Sequence, residues 1–107
     1  MIASTPSPPY YAVIFTSLRT EGDNGYGEMA VQMDELAKQQ PGYLGIEGAR
    51  NELGITVSYW KDIASIRNWK QQVDHLTAQQ KGRTDWYSAY KVRICLVERD
   101  YGFERSQ

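Results

Sequence analysis

The sequence predicts an α+β fold of the ferredoxin-like type, with the element order β-α-β-β-α-β and a four-stranded antiparallel sheet. Two observations predict it. Apolar and β-branched residues alternate in four short segments, as they do in half-buried strands. In two longer segments between them, apolar residues recur every three or four positions, as on one side of a helix. The 107 residues suffice for one domain with a modest core.

The first half of the chain predicts a lead-in, a strand and a helix. Residues 1–9 hold three of the four prolines and predict a flexible, extended segment ahead of a single domain over residues 10–107. Tyr10–Leu18 is apolar on both faces, which predicts a strand covered on both sides. The apolar stripe from Tyr26 to Ala37 predicts a helix whose cap is Asp23 or Asn24.

A hairpin follows the turn at Pro41-Gly42. Its strands are Tyr43–Arg50 and Gly54–Trp60, both rich in residues that suit a pleated sheet. Gly45 and Gly48 lie inside the first of these strands, which predicts a bulge or a close backbone approach there.

The remaining elements are a second helix and a closing strand. Asp62 is placed to cap a helix that runs to about Gln80, with Gly82 as its natural stop. Thr84–Ala89 predicts a short helical turn, and Tyr90–Arg99 predicts the last strand. Asp100–Gln107 is a tail whose two aromatic residues are able to dock on a surface.

Two tryptophans lie around the joint between the third strand and the second helix. Trp69 lies in the apolar stripe of the helix, which predicts that it packs on the sheet. Trp60 lies on the strand face opposite Ile55 and Val57. We expect this to be the sheet face away from the helices, where Trp60 would line a cavity or a partner subunit. With Ile14 or Phe15 also there, that face is too apolar to stay bare, which predicts a homodimer.

Composition excludes several classes of protein. The net charge of −1 and the lack of a basic run argue against nucleic-acid binding. No apolar segment is long enough to cross a membrane, and the N-terminus lacks the features of a secretory signal. Cys95 is the only cysteine, which fits a reducing cytoplasm, and His75 is the only histidine, so no metal site is expected.

The sequence resembles the antibiotic biosynthesis monooxygenase (ABM) family. The matching stretches are SYW at Ser58–Trp60, KDIASIRNWK at Lys61–Lys70, His75, and WYSAYKVRICLVERDYGFE at Trp86–Glu104. The resemblance implies a dimeric α+β barrel. Family members include cofactor-independent monooxygenases, which oxidise phenolic polycyclic compounds with molecular oxygen, and heme-degrading enzymes.

The residues of a heme site are mostly missing from this sequence. Heme-degrading members have an asparagine on the first strand, a tryptophan on the second helix and a histidine ten residues later. Trp69 matches the tryptophan, but the first strand reads VIFTS and the histidine position is Gln79. The sequence therefore predicts no cofactor, with heme as the disfavoured alternative.

His75 is the candidate catalytic residue. On a continuous helix it lies roughly 150° from the centre of the apolar stripe, which predicts a solvated position. A helix break near Asp74 would instead direct it into a cavity, where it would serve as a proton acceptor or an axial ligand.

The resemblance implies a small monooxygenase-like enzyme that acts on an aromatic or quinone-like compound without metal or flavin. One alternative is a non-catalytic dimeric module that binds a hydrophobic small molecule, since no acid–base constellation is recognisable. The other is a heme-binding or heme-degrading protein. The aromatic residues available for substrate binding are Phe15, Tyr59, Trp60, Trp69, Trp86, Tyr87 and Tyr90, with Arg93 to hold an anionic oxygen.

Overall fold

The computed structural model describes residues 1–79 and 85–106 and confirms the predicted β-α-β-β-α-β order. The elements are β1 (Tyr10–Arg19), α1 (Tyr26–Lys38), β2 (Tyr43–Arg50), β3 (Gly54–Trp60), α2 (Ile63–Gln79) and β4 (Tyr87–Val97). None of the helices in the described ranges is sufficiently long and apolar to span a membrane.

The four strands form one antiparallel sheet in the order β2-β3-β1-β4, so β2 and β4 are its edges. Directly opposed residues share a face of the sheet. Tyr11, for example, lies opposite Trp60 of β3 and Leu96 of β4. Both helices contact this face, which we call the helix side; the other face is the open side. Trp69 of α2 stacks on Trp60, and Tyr26 of α1 contacts the first residue of β4.

The two helices begin close to their predicted caps. Gly25 is the N-cap of α1 in a left-handed conformation (φ 84°), and the carboxylate of Asp23 accepts the backbone N–H groups of Gly25 and Gly27 at 3.1 Å. At α2 the prediction of Asp62 is confirmed, because its Oδ1 accepts the backbone N–H of Ser65 at 2.8 Å. The predicted stop at Gly82 lies outside the described residues.

The turn after α1 is docked against the start of α2. Gly42 has a φ of 81°, which a residue with a side chain adopts at a cost. Its carbonyl accepts the backbone N–H of Lys61 at 2.8 Å, and a Cβ at this position would overlap the side chain of Ser65. The predicted irregularity near Gly45 is confirmed, since the register between β2 and β3 shifts between Tyr43 and Gly45.

The last strand begins earlier than the sequence predicts. Within the predicted helical turn Thr84–Ala89, the residues from Tyr87 onward belong to β4. The register between β1 and β4 shifts between Leu18 and Arg19. Trp86 fixes this start: its indole Nε1 donates to the Asn24 carbonyl at 2.9 Å, and its own carbonyl accepts the N–H of Thr20 at 3.0 Å. These bonds to the β1–α1 loop favour pairing over a helical turn.

The prediction that Trp60 lies on the sheet face away from the helices is wrong. Trp60 is fully buried on the helix side, at 0% exposure, and stacks on Trp69 with ring centroids 5.9 Å apart. Alternation correctly separated Trp60 from Ile55 and Val57, but the helices cover the Trp60 face rather than the other one. Ile55 is instead exposed on the open side.

The open side of the sheet is partly covered by the N-terminal segment. The backbone N–H of Ala3 donates to Glu47 Oε1 at 2.7 Å, and the hydroxyl of Thr5 donates to the Tyr10 hydroxyl at 2.9 Å. The Tyr10 hydroxyl in turn donates to the carboxylate of Asp100, at the start of the C-terminal tail. The N-terminal segment and the start of the C-terminal tail therefore meet on this face near the Tyr10 end of β1.

Candidate functional site

One aromatic group on the helix side surrounds the fully buried Trp60. It consists of Tyr43, Trp60 and Trp69, which we call the tryptophan cluster. The Tyr43 ring meets the Trp60 indole edge-on at 5.7 Å, and Trp60 Nε1 donates to the buried Ser58 Oγ at 2.9 Å. Each polar atom of the Trp60–Ser58 pair thus has a partner, and the arrangement leaves no room for a ligand at Trp60.

A second aromatic group lies toward the other end of the same face. Phe15, Tyr26, Tyr87 and Tyr90 form it, and we call it the tyrosine cluster. The Phe15 ring centroid lies 5.3 Å from that of Tyr87 and 5.4 Å from that of Tyr90. Tyr26 brings α1 into the group through an edge-on contact with Tyr87 at 5.8 Å. Tyr90 brings this group to the surface at 41% exposure, whereas Trp60 at the centre of the tryptophan cluster is fully buried.

An apolar wall extends from the tyrosine cluster along β4. Val92, Ile94 and Leu96 lie on the helix side and are 46%, 54% and 49% exposed. The helices leave this wall open because α1 approaches β2 and α2 approaches β3, in the half of the sheet away from β4. A flat aromatic molecule lying on this wall would contact the rings of Phe15 and Tyr90 at its end.

A guanidinium group borders the tyrosine cluster. Arg50, the last residue of β2, extends across Gly54 of β3 to Ser17 of β1. Its Nη1 donates to the Ser17 carbonyl at 3.4 Å and its Nη2 donates to Ser17 Oγ. A Cβ on Gly54 would overlap the guanidinium, so the absence of a side chain there creates the path that Arg50 takes.

Arg19 holds the other side of the cluster together. Its Nε donates to the Trp86 carbonyl at 2.8 Å, and its guanidinium carbon lies 3.6 Å from the centre of the Tyr26 ring. The same group donates to the Gly22 carbonyl at 3.2 Å. Arg19 therefore ties the β1–α1 loop to β4 and fixes the position of the Tyr26 ring.

The phenol of Tyr87 is protonated at neutral pH. Burial raises its pKa, and the neighbouring Tyr26 hydroxyl raises it further, while the charges of Arg50 and Arg19 act in the opposite direction. A neutral phenol beside two cations is a hydrogen-bond donor rather than a base. The cluster thus offers donors and positive charge to an oxygen atom that carries negative charge.

The chain is similar to proteins of known sequence and structure. No family model matches it. It is 47% identical over 107 residues to the uncharacterized protein YqjZ of Bacillus subtilis, covering 98% of this chain and 94% of YqjZ. The chain belongs to the same family as YqjZ.

Solved structures show that the fold is that of antibiotic biosynthesis monooxygenase proteins, as the resemblance implied. A variant of SnoaB, a cofactor-independent oxygenase from Streptomyces nogalater, superposes with a TM-score of 0.67 at 11% identity, over 85% of this chain and 95% of SnoaB. A candidate antibiotic biosynthesis monooxygenase from Nitrosomonas europaea gives 0.65 at 14% identity, over 88% and 94%. At these identities the likeness concerns the fold alone.

The site residues predicted from the sequence do not lie together in the structure. Phe15 and Tyr90 lie in the tyrosine cluster, whereas Trp60 and Trp69 lie in the tryptophan cluster. Gly54, beside the tyrosine cluster, and Trp60 are six positions apart on β3, which corresponds to roughly 20 Å. The predicted residues Tyr59, Arg93 and His75 lie elsewhere.

Tyr59 and Arg93 lie on the open side of the sheet. The Tyr59 hydroxyl donates to Glu47 Oε2 at 2.6 Å, and its ring meets Tyr10 edge-on at 5.8 Å. Burial, followed by the hydrogen bond to Glu47, raises the pKa of Tyr59 to about 12. Arg93 pairs with Ile14 and is exposed. His75 is exposed on α2, in agreement with the solvated position that helical periodicity predicts.

Sequence reasoning missed Arg50, Ser17 and Tyr26 as neighbours of the cluster. Arg50 is the last residue of an edge strand, where an arginine normally reads as a solvated strand end. The available clue was Gly54, four residues after Arg50. It is the first residue of β3 and lies in a strand rather than in a turn that would require glycine. Only the pairing of Arg50, Gly54 and Ser17 across three strands gives that glycine a role.

A small depression lies near the N-terminus of α1. Its volume is about 210 Å³, and it is lined by Asn24, Gly25, Glu28, Met29, Gln32 and Trp86. Of the aromatic residues that the sequence offers for substrate binding, Trp86 lines it. Among the described residues, no group of three or more histidine, cysteine, aspartate or glutamate side chains is arranged to hold a metal ion.

Proposed function

We propose that this protein is a small cofactor-independent monooxygenase-like enzyme that acts on an aromatic or quinone-like compound at the tyrosine cluster. The observation that carries the proposal is the partly exposed group formed by the edge-on and tilted rings of Phe15, Tyr87 and Tyr90, which an exposed apolar wall on β4 continues. A planar polycyclic molecule bound here would cover the aromatic rings of the cluster and the apolar wall at the same time. The similarity of the fold to SnoaB, a cofactor-independent oxygenase, supports this choice of chemistry.

The reaction asks little of the protein. A CH₂ carbon between two aromatic rings loses a proton to solvent water, and the resulting carbanion gives its electrons to O₂. One oxygen atom remains in a new C=O group and the other leaves as water, so the substrate loses two hydrogens and gains one oxygen. Where a substrate oxygen conjugated with that carbon shares the negative charge of the carbanion, the neutral phenol of Tyr87 would donate a hydrogen bond to this oxygen. The nearby cations would also stabilise the negative charge.

Oxygen uptake with anthrone as substrate tests this proposal. We expect uptake above the uncatalysed rate, and a higher KM for Tyr90→Ala because that ring forms the accessible end of the site. Tyr101→Ala is the matched control: it also removes a tyrosine ring, but from the C-terminal tail, where the residue is 93% exposed. Anthrone that binds at the site without oxygen uptake would contradict catalysis and favour the non-catalytic binding module.

The open side of the sheet supports a homodimer in which two sheets face one another. Leu18 and Ile55 are exposed on this face, away from the area that the N-terminal segment covers. A stable interface would bury on the order of 1,600 Å² or more in total. Sedimentation at micromolar concentration should give the mass of two chains, and Ile55→Glu should shift the population toward one chain. A monomeric mass for the unmodified protein would refute this arrangement.

A further inference from the structure

The tyrosine cluster is bordered by a cation whose position the fold fixes in advance. We propose that Arg50 is the anion-binding group of this site, and that the ligand is a planar aromatic anion with a carboxylate or phenolate oxygen at one edge. The inference rests on the proposed function only in placing an aromatic ligand at the cluster. It goes further by assigning the ligand a charge and the protein a residue that recognises it.

The register of the sheet brings Arg50 to the cluster. Its guanidinium is bonded to Ser17, and Ser17 lies directly opposite Tyr90. Opposed residues in an antiparallel pair have Cβ atoms about 4.5–5.5 Å apart. Phe15, two residues before Ser17 on the same face, contacts the Tyr90 ring at 5.4 Å. A ring system lying against Phe15 and Tyr90 therefore has its edge beside the guanidinium.

No carboxylate of the described residues forms an ion pair with Arg50. Among the described residues the ion pairs join Lys38 to Asp34 and Lys70 to Asp74, and neither involves Arg50. Ser17 engages two of the five N–H donors of the guanidinium. The other donors have the fork geometry that binds a carboxylate or an adjacent pair of oxygens.

The fold also limits how far Arg50 can move. The side chain lies over Gly54, where no Cβ obstructs it. Its guanidinium is held by two hydrogen bonds to Ser17, one to the carbonyl oxygen and one to Oγ. A side chain that is already held in place loses less conformational entropy on binding than a free arginine at a strand end. This arrangement distinguishes Arg50 from Arg93, which is exposed on the open side.

Calorimetric titration with naphthoate and naphthamide tests the proposal. The two probes have nearly the same shape and differ in charge. We expect the protein to bind naphthoate at least about tenfold more tightly than naphthamide, with a preference that weakens as salt is added. Arg50→Met should remove the preference. Arg93→Met removes an equal charge from the other sheet face and should leave it intact.

Gly54→Ala separates the position of the guanidinium from its charge. The new methyl group overlaps only the flexible end of Arg50, so we expect the variant to fold, which circular dichroism checks. It keeps the arginine but displaces it from Ser17, and the preference for naphthoate should fall.

Three results would overturn the proposal: equal or undetectable binding of the two probes, a preference that persists in Arg50→Met or falls equally in Arg93→Met, or a Gly54→Ala variant that behaves as the unmodified protein. Because no step involves oxygen, a failure of anthrone oxidation leaves this test unaffected.

Discussion

Truncating Trp60 should remove a large part of the stability of the domain. The side chain is 0% exposed, stacks on Trp69 at 5.9 Å and meets Tyr43 at 5.7 Å. Replacing a buried aromatic side chain of this kind with alanine costs about 3–5 kcal/mol. A domain of this size has a total free energy of unfolding of about 5–15 kcal/mol. Trp60→Ala should therefore lose at least about a fifth of it, and Trp60→Phe less.

The loss in Trp60→Phe has a second component that can be measured separately. The phenyl ring cannot donate to Ser58 Oγ, which is buried and accepts the indole N–H at 2.9 Å. An unsatisfied buried group of this kind costs about 1–3 kcal/mol. In a double-mutant cycle, Ser58→Ala should therefore cost less in the Trp60→Phe background than in the unmodified protein.

Denaturant unfolding followed by circular dichroism measures these free energies. Protein concentration must be held constant, because any dimer adds a concentration-dependent contribution. Val31→Ala is the control: Val31 is 64% exposed on α1, and its loss should change stability by no more than about 0.5 kcal/mol. If Trp60→Ala is no more destabilised than Val31→Ala, the assignment of Trp60 to the core is refuted.

Further predictions concern pH, a turn and heme. Hydrogen bonds from the Tyr59 hydroxyl and the Ala3 N–H lower the pKa of Glu47, so its stabilisation is present above its unfolded-state pKa and lost as the pH falls through the folded value. Glu47→Gln should flatten the acid limb of stability against pH; an unchanged limb would contradict this. The pKa of Tyr59 is raised from an ordinary 10.0 to about 12. The protonated Tyr59 hydroxyl therefore contributes a stabilisation that is fully present below pH 10 and is lost as the pH rises through about 12. Tyr59→Phe should remove this alkaline dependence. Gly42→Ala should lower stability by more than about 1 kcal/mol, seen as a lower Tm, because φ is 81° and the new methyl would overlap a side chain of α2. Hemin titration should give no sharp one-to-one endpoint; a shifted Soret band that His75→Ala abolishes would show otherwise.

Local sequence pattern was enough to predict the order and most of the boundaries of the elements. Asp62 caps α2 as a carboxylate at that position should, and Gly42 ends the turn that Pro41 begins. The start of β4 was missed because it depends on a distant contact: the Trp86 indole and carbonyl bond to Asn24 and Thr20, far away in sequence. Contacts of this kind override local propensity.

Alternation in a strand shows which residues share a face but not which face the helices cover. That is why Trp60 was separated correctly from Ile55 and still assigned to the wrong side. The decisive fact is the contact with Trp69, which depends on how α2 folds back on the sheet. The same limit explains why Tyr59 and Arg93 were grouped with Phe15 and Tyr90, from which the sheet separates them.

The path of Arg50 over Gly54 links two positions that would otherwise vary independently during evolution. A relative that gains a side chain at position 54 can no longer accommodate the arginine in its present course, so a smaller or uncharged residue at position 50 would then be favoured. The reverse also follows: losing the arginine relaxes the requirement for glycine. An alignment of YqjZ relatives should therefore show these two columns changing together, with arginine at 50 confined to sequences that have glycine at 54.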